Sequence, residues 1–446
     1  MPGGMAKVIR LIYSNQTERL LDALVEILKV HRQQDDFHPL DPVDLVVPNR
    51  NMETWVRLGL AQALGVAANL RFRRLERFIG DLAAEACPEE IKLADLDTVE
   101  AAILSILLDE TALEQPELAP VRLYLAGAGD AARQETENDR RLAEDGNDIR
   151  RVQLAVRLAH LFQEYSFSRP EMIAAWRGEN RPEIVNHPFA DPAAADPGLA
   201  PTAAWQRALW QAVFAAGGIL DQNPPETGGR WVTPDLLALD DSLFTKIRSA
   251  GLPPVHIFGI SYVARLFQYL FARLGGKNSL FIYTLNPCAE FWEDIETERE
   301  FFYRLDRERD HRSRHLWIGR GEPAEDSDPF GLDKTENLAL RYWGKPGREH
   351  VRLLDELTEC NFTAAFSSPS AGEGGLLQKL QEDILRRMPE GAAGGDDLNS
   401  GEENTFEGCR SDETLRLVAA PSVRREVEWV ADEIWKLMQD DRGRRC

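Results

Sequence analysis

The pattern of apolar positions between residues 43 and 79 predicts a strand, a loop and an amphipathic helix, in that order. The strand covers residues 45–47 and stops at Pro48, because proline cannot donate a hydrogen bond to a sheet. Apolar residues then recur at three- and four-residue steps until Gly65, which is a typical helix terminator. Ligands of open α/β sheets bind outside the carboxyl ends of strands, so we expect the loop at 48–51 to face a ligand.

Residues 8–13 form the first predicted strand, and residues 17–29 form the helix that follows it. Asn15 and Glu18 have the spacing of a capping box at the start of that helix. In nucleotide-binding α/β domains a phosphate-binding loop lies at this place, yet the loop at 14–16 contains neither glycine nor lysine. The motif G-x-x-x-x-G-K-[ST] occurs nowhere in the sequence, so we expect this chain to hydrolyse no ATP.

A second group of apolar segments completes the predicted sheet. Strands at 255–260 and 280–285 flank a helix at 265–274, and this βαβ spacing requires a parallel crossover. The pattern at 76–239 is mostly helical, which indicates a large helical insertion. Within it, the acidic stretch at 130–148 is predicted to be a mobile loop. The predicted fold class is α/β, a parallel sheet domain with a helical insertion.

Shifts in composition divide the chain into three predicted parts. Residues 5–363 form the α/β domain, and residues 364–413, rich in Ser, Gly and acidic side chains, form a linker with one short docking helix. Residues 414–446 begin a second α/β domain, with a strand at 415–419 and a helix at 423–438. We expect this half-domain to be poorly ordered unless it packs on the first.

Composition places the chain among soluble globular proteins. Its 446 residues are 43% hydrophobic and 28% charged, and no apolar stretch reaches membrane-spanning length. Five widely separated cysteines without a C-x-x-C pair favour a reducing compartment, so the expected location is the cytoplasm. The net charge of -22 is opposite to that of a DNA-coating protein. Any contact with nucleic acid is therefore expected at a local basic surface.

One basic cluster interleaved with aromatic residues follows the organising helix. Its members are Arg71, Phe72, Arg73, Arg74, Arg77 and Phe78. In one interpretation the arginines pair with phosphates and the aromatic rings stack on bases of a nucleic-acid strand. In the other, the arginines form a solvated helix face and the two phenylalanines lie in the core.

Other candidates for chemistry lack a complete constellation. His311 and His315 have helical metal-ligand spacing without a nearby carboxylate or cysteine, which is typical of a polar helix face. Glu90 and Lys92 match part of a nuclease pattern but follow no strand that carries a partner aspartate. The serine-hydrolase pattern G-x-S-x-G is absent from the sequence.

Several short motifs occur in a fixed order along nearly the whole chain. They are Tyr13-Ser14-Asn15, Met52-Glu53-Thr54-Trp55-Val56, the run from Gly65 to Leu70, Arg169-Pro170, Gly259-Ile260-Ser261, Asn286-Pro287-Cys288, Trp343-Gly344-Lys345 and Arg425-Glu426-Val427-Glu428. In this order they resemble the N-terminal part of RecC, the gamma subunit of exodeoxyribonuclease V, the RecBCD helicase–nuclease. The resemblance implies an inactive superfamily-one helicase-like (RecA-like) domain whose nucleotide site has been lost.

The resemblance also implies a function. The chain would be a non-catalytic DNA-binding subunit, or a fragment of one, that helps to process double-strand DNA ends for recombinational repair. It would split the strands, guide the 3′-ended single strand and hold RecB-like and RecD-like subunits together. ATP and Mg, with the helicase and nuclease chemistry, would belong to those partners. This chain itself would hold no cofactor, no metal and no catalytic residue.

Strand-contacting positions of the family map onto this sequence with departures. Arg169 and Leu161 match the family, whereas Pro48, Arg50 and Thr54 replace polar residues of relatives that read the Chi octamer. Arg74 and Gly80 replace a leucine and a tryptophan, and His160 and Gln163 replace aspartates. With these replacements, the chain would be as compatible with an altered recognition sequence, or with none, as with the Chi octamer itself. The predicted DNA-binding residues are Arg50, Thr54, Arg71, Arg74, Leu161 and Arg169.

Two alternatives stay open at the level of sequence. The first is an acidic cytoplasmic α/β interaction scaffold that binds no DNA. The second is a hydrolase with an unrecognised nucleophile, although no group of residues in the sequence supports it. Salt-sensitive DNA binding distinguishes the DNA-binding subunit from the scaffold.

Overall fold

The computed structural model describes a large part of the chain in two compact units. The described residues are 9–33, 38, 42–86, 91–126, 137–179, 190–191, 197–226, 228–241, 244–246, 254–275, 280–297, 299–300, 336–358, 362–369, 375–389 and 414–439. Unit 1 comprises residues 1–287 with 345–367, and unit 2 comprises residues 288–344 with 368–446. The predicted domain boundaries at 364 and 414 stay predictions.

Unit 1 is built on a six-stranded parallel sheet, which confirms the α/β class and the parallel crossover. In chain order the strands among the described residues are β1 Ile9–Ser14, β2 Val43–Val46, β3 Leu70–Arg73, β4 Ile91–Leu93, β5 Arg230–Val232, β6 Val255–Phe258, β7 Leu280–Leu285 and β8 Phe362–Ala364. The main sheet has the order β3-β2-β6-β7-β1-β8, and each neighbouring pair is parallel. β4 and β5 form a separate two-stranded parallel sheet.

Helices connect and cover the strands. They are α1 Thr17–Arg32, α2 Arg50–Leu64, α3 Leu75–Ala86, α4 Leu96–Leu108, α5 Glu110–Leu113, α6 Ala119–Ala126, α7 Glu137–Ser168, α8 Pro170–Arg177, α9 Ala200–Phe214, α10 Ile219–Gln222, α11 Pro234–Leu239, α12 Arg265–Leu274, α13 Leu338–Tyr342, α14 Lys345–Thr358, α15 Leu376–Leu385 and α16 Val423–Gln439. Short 3₁₀ turns at Pro116–Leu118 and Pro197–Leu199 precede α6 and α9.

The organising segment adopts the predicted strand, loop and helix. Asn49 caps α2, because its side-chain oxygen accepts a hydrogen bond from the backbone N–H of Met52 over 2.9 Å. Gly65 ends the helix at φ +78°, a conformation that favours glycine. One face of the sheet then packs on α1 and α2 through a shared apolar cluster. That cluster includes Ile12, Leu20, Leu24, Leu45, Val56, Leu60, Phe258 and Tyr283.

The predicted capping box at α1 is wrong. The N-cap residue is Gln16, whose side chain makes no capping bond. Asn15 instead donates from Nδ2 to the Ser367 carbonyl over 2.7 Å and accepts from the Ser367 N–H over 2.9 Å. These longer-range bonds compete with local capping and tie the loop after β1 to the segment that follows β8.

The helical insertion has its own apolar core, together with two strands that the sequence pattern did not predict. α4, α7 and α9 bury Ile103, Phe162 and Trp210 in one cluster. β4 and β5 come from opposite ends of the insertion and are only three residues long, which gives periodicity too little length to reveal them.

The acidic stretch is a helix over 137–148, as part of α7, and not the predicted loop. Its Glu, Arg, Leu and Ala residues are good helix formers, and they continue the amphipathic helix that the pattern predicted beyond residue 152. Residues 130–136 lie outside the described part.

In unit 2, the docking helix predicted near residue 376 is present as α15. The helix predicted at 423–438 is present as α16, but residues 415–419 form no strand. A strand requires a neighbouring strand to pair with, whereas residues 415–419 are all exposed to solvent. Among all described residues, no helix is both long and apolar enough to cross a bilayer.

Candidate nucleic-acid interface

The loop after β2 and the end of β3 meet at the carboxyl edge of the sheet. The Val47 N–H donates to the Arg73 carbonyl over 2.9 Å, which fixes the two segments side by side. A cleft of about 820 Å³ opens there. Its lining residues are Val47, Asn49, Arg50, Glu53, Arg71, Phe72, Arg73, Arg74, Arg77 and Asp81. The structure therefore brings Arg50, Arg71 and Arg74 of the predicted DNA-binding set together in what we call the basic cleft.

Two helix N-termini also reach the basic cleft. α2 begins at Arg50 and runs for 15 residues, and α3 begins directly after Arg74 and runs for 12. The first N–H groups of a helix lack intrahelical acceptors and carry a partial positive charge, so they favour anions. Five guanidinium groups and two helix N-termini thus face the same space, in a chain whose overall charge is negative.

A buried carboxylate holds part of the cluster in place. Asp44 on β2 is opposite Arg71 in the parallel register, and its side chain is 2% exposed. Arg71 Nη2 donates to Asp44 Oδ2 over 2.7 Å, and Arg73 Nε lies 3.4 Å from Asp44 Oδ1. Arg73 and Arg77 lie 3.2 and 3.8 Å from the carboxylate of Asp81. Three of the five arginines are therefore partly neutralised by carboxylates.

Arg50 and Arg74 differ from these three. Both are exposed, and among the described residues no carboxylate forms an ion pair with either guanidinium. Their positions at the starts of α2 and α3 add the helix partial charges to their own. Of the five arginines, these two are therefore the best placed to bind a phosphate backbone.

Of the two aromatic residues of the cluster, one is unavailable for base stacking and the other is partly covered. Phe78 is fully buried, as the core interpretation predicted. Phe72 is half-buried against the core of the sheet, and the guanidinium of Arg57 lies 4.7 Å from its ring centroid. The alternative of a solvated helix face is wrong for Arg71 and Arg73, because both lie on β3. The basic cleft therefore offers charge and hydrogen-bond donors, and its aromatic rings serve packing.

Thr54, Leu161 and Arg169 lie outside the lining of the basic cleft. Thr54 is one turn into α2, and its hydroxyl donates to the Arg50 carbonyl over 3.0 Å. Leu161 is half-buried against the core of the insertion. Arg169 is exposed at the junction of α7 and α8. Proximity to the basic cleft therefore supports only part of the predicted set.

The Arg169 junction is anchored by buried polar contacts. The Arg169 N–H donates to the Tyr165 carbonyl over 2.8 Å, and Pro170 is the first residue of α8. Glu171 is fully buried, and its Oε1 accepts from Arg265 Nε over 2.7 Å and from the Tyr269 hydroxyl over 2.9 Å. Burial and the nearby Glu171 carboxylate raise the pKa of Tyr269 to about 12, so this hydroxyl keeps its proton. These contacts hold the backbone at Arg169 in place.

The place where a phosphate-binding loop would lie is taken by other contacts. Ser14 Oγ donates to the Ala365 carbonyl over 2.9 Å and accepts from the Gln16 N–H over 3.0 Å. With the two bonds between Asn15 and Ser367, the polar groups after β1 are engaged by the chain itself. This geometry is consistent with the sequence, which lacks the glycines and the lysine of a nucleotide loop.

The remaining candidates add no site. Within the described ranges, no three His, Cys, Asp or Glu side chains come together in a way that could hold a metal ion. Lys92 lies on β4 with its ammonium 5.2 Å from the Trp231 ring centroid. Glu90, His311 and His315 lie outside the described residues.

Sequence reasoning missed Asp44 as part of the site. Its signal was an isolated carboxylate within an otherwise apolar strand, which must be paired when it is buried. The partners come from β3, a strand that the pattern did not predict, so the pairing was not visible before the sheet order was known.

Comparison with known proteins gives one family. The RecC N-terminal domain matches residues 9–387. RecBCD enzyme subunit RecC of Escherichia coli (strain K12) is 26% identical over 449 residues, which are 97% of this chain and 36% of that protein. RecBCD enzyme subunit RecC of Haemophilus influenzae is 25% identical over 459 residues, 96% of this chain and 36% of that protein. The chain thus spans about a third of the length of these curated relatives.

Proposed function

Since this chain belongs to the RecC family, we propose that it acts as a DNA-binding subunit of a RecBCD-like assembly that processes double-strand DNA ends. It guides a single strand, by preference the 3′-ended one, and contributes no ATPase or nuclease site. RecB-like and RecD-like subunits are its protein partners, and they supply ATP, Mg and the cleavage chemistry. DNA repair and recombination are the processes that this role serves.

The basic cleft is the single observation that carries the proposal. Local positive charge in a chain of net charge -22 is the arrangement expected of a protein that confines a nucleic acid to one path. The cleft, of about 820 Å³, lies at the carboxyl edge of a parallel sheet. Ligands of this fold class usually bind at that edge.

The geometry favours the phosphate backbone as the bound group. Arg50 and Arg74 lack carboxylate partners among the described residues, and the helices α2 and α3 begin at the same cleft, where their N-terminal partial charges favour anions. Phe72 is covered on one side by Arg57, and Phe78 is buried, so base stacking contributes little here. Backbone contacts position a strand without reading its sequence, which agrees with the departures from the Chi-reading residues.

The family's nucleotide-free helicase-like architecture is part of the proposal. The loop after β1 is closed by Ala365 and Ser367, where a nucleotide would otherwise meet N–H groups. This closure supports a domain that holds DNA and leaves ATP hydrolysis to its partners.

The test is the affinity of the full chain for fluorescein-labelled single-stranded and forked DNA at several salt concentrations. The double variant Arg50→Ala, Arg74→Ala is compared with the wild type by fluorescence anisotropy. For single strands the slope of log K against log salt changes by about 0.7 per phosphate contact, so losing two contacts reduces it by about 1.4. The affinity at low salt falls accordingly.

The matched control is the double variant Arg19→Ala, Arg352→Ala. It removes the same two charges from exposed helix positions whose arginines pair with Asp22 and Glu356. The control is expected to keep the wild-type slope. Equal losses in both double variants would show that net charge alone matters. No DNA binding by the wild type, with or without its partners, would favour the acidic scaffold.

A further inference from the structure

Unit 2 exposes a group of large aromatic side chains. Trp343 is 83% exposed, Phe291 66% and Tyr342 51%. Aromatic residues of this size are mostly buried in folded proteins, and tryptophan and tyrosine are enriched at interfaces. Three such residues in neighbouring segments indicate an interaction surface rather than chance exposure.

The backbone beneath these rings is closely packed. Trp292 is 1% exposed, and a Cβ at Gly344 would lie 2.7 Å from its Cζ3 atom and 2.2 Å from the Leu340 carbonyl oxygen. Only glycine fits at this approach. Phe291 precedes Trp292, and Trp343 precedes Gly344, so the two exposed rings flank one buried contact.

An arginine joins the same two segments. Arg387 Nη1 donates to the Phe291 carbonyl over 2.5 Å and to Asp294 Oδ1 over 2.8 Å, and its Nη2 donates to Glu336 Oε2 over 2.5 Å. Glu336 directly precedes the Asn337 cap of α13, which ends at Tyr342. The two backbone segments that carry the aromatic rings are therefore held in place before any partner binds. A preorganised surface loses less conformational entropy on binding.

The charge around the rings is negative. Glu290 and Asp294 are exposed, and Glu293 and Glu296 are half-buried in the same segment. Arg387 is engaged by Asp294 and Glu336, and Arg341 on α13 is buried. The exposed Lys345, two residues after Trp343, lies 4.0 Å from the carboxylate of Glu349. Phosphate groups are repelled by such a surface, so a nucleic acid is a poor occupant. Lysine and arginine side chains of a protein complement it.

We propose that the aromatic–acidic surface, formed by Glu290, Phe291, Asp294, Tyr342 and Trp343, binds a basic protein surface with an apolar pocket for the exposed rings. The partner is a RecB-like or RecD-like subunit, and that identity rests on the proposed function. Trp343 and Phe291 act as the apolar anchors, and Glu290 and Asp294 form the charged rim. Aromatic anchors carry most of the binding free energy in typical interfaces, whereas rim charges govern association rate and salt dependence.

The test uses the full chain and purified RecB-like and RecD-like subunits from the same organism, with affinity measured by isothermal titration or biolayer interferometry. The variant Phe291→Ser, Trp343→Ser is expected to bind one of them at least about 30-fold more weakly, the loss typical of hot-spot residues. The variant Glu290→Lys is expected to slow association and flatten the salt dependence. Circular dichroism melting verifies that each variant is folded.

The matched control is Val66→Ser, Leu123→Ser, which removes two apolar side chains that are 65% and 70% exposed elsewhere in the chain. Its affinity for the partners should stay within about twofold of the wild type. Unchanged partner affinity in Phe291→Ser, Trp343→Ser overturns the proposal, and so does a wild type that binds neither partner.

Single-stranded DNA binding is measured on the same variants. Loss of DNA binding with intact partner binding in Phe291→Ser, Trp343→Ser would make this surface a base-stacking platform and overturn the proposal. The basic-cleft variant Arg50→Ala, Arg74→Ala separates the two hypotheses, because it should lose DNA and keep its partners.

Discussion

The carboxylate of Asp44 accepts a hydrogen bond from Arg71 over 2.7 Å across two neighbouring parallel strands, with the Asp44 side chain 2% exposed. Arg73, two residues along β3, approaches the other oxygen of the same carboxylate at 3.4 Å. One buried anion thus orients two arginines of the basic cleft. It also links the stability of the sheet edge to the shape of the cleft.

Replacing Asp44 with asparagine should destabilise the fold. The change keeps the shape of the side chain but removes the negative charge opposite Arg71 and Arg73, whose side chains are 35% and 10% exposed. Breaking a buried pair of this kind costs about 3 kcal/mol of unfolding free energy. Urea unfolding followed by circular dichroism measures it. Asp22→Asn is the control, since its pair with Arg19 is exposed and should contribute less than about 1 kcal/mol.

Glu171→Gln should loosen the junction between α7 and α8. The fully buried Glu171 carboxylate binds Arg265 and Tyr269, and the neutral amide replaces the ion pair with Arg265 by a weaker contact. We expect a loss of about 2–4 kcal/mol in the urea-unfolding free energy.

A double-mutant cycle of Glu171→Gln with Tyr269→Phe measures how far these contacts depend on one another. A coupling energy below about 0.5 kcal/mol would contradict a shared network. Glu349→Gln is the control, since Glu349 is 54% exposed and lies 4.0 Å from Lys345.

Two buried histidines should make unit 1 less stable in mild acid. Burial lowers the pKa of His256 from 6.5 to about 3 and that of His350 from 6.5 to about 4. His256 Nδ1 lies 3.1 Å from the Tyr283 hydroxyl, and His350 Nε2 lies 3.0 Å from Thr284 Oγ1. Below pH 6.5 the unfolded chain binds protons that the folded chain excludes.

Stability is therefore complete above pH 6.5 and falls as the pH decreases from 6.5 towards 4. Each histidine contributes up to about 1.4 kcal/mol per pH unit in this window. Urea unfolding at pH 7.5, 6.0 and 5.0 measures the slope. The variant His256→Phe keeps a ring that can stack on Phe281. In this variant the change of unfolding free energy with pH should be smaller by the contribution of one histidine. An identical slope in this variant would show that other groups dominate.

Arg169→Ala should weaken DNA binding without changing stability. Arg169 is exposed, and its hydrogen bonds with Tyr165, Met172 and Ile173 are made by its backbone. We expect the unfolding free energy to change by less than about 0.5 kcal/mol. The affinity for single-stranded DNA should fall about threefold to tenfold, the effect of one lost phosphate contact at moderate salt. Fluorescence anisotropy and urea unfolding measure the two quantities.

Arg157→Ala is the matched control for Arg169→Ala. It removes the same charge from an exposed position on α7, about three turns before the junction that carries Arg169. If both variants lose equal affinity, the whole exposed face of α7 attracts DNA. If neither does, the role that the family resemblance implies for Arg169 does not hold in this chain.

The sequence by itself determined the α/β class, the parallel crossover at residues 255–285 and the helix that starts after Pro48. Those features depend on local periodicity and on Pro, Gly and Asn signals, which act over a few residues. The basic cluster was also visible, since its arginines are close in sequence. The family resemblance rested on motifs in linear order, which need no tertiary information.

Only the tertiary structure decided which arginines are available. The pairing of Arg71 and Arg73 with Asp44 depends on β3 lying beside β2, and Arg50 joins Arg74 because two helices start at the same sheet edge. Likewise, Asn15 was expected to cap a helix but bonds Ser367, more than 350 residues away. Such contacts join residues that are distant in sequence, so no local pattern specifies them, and the free energy of the whole packed sheet selects them.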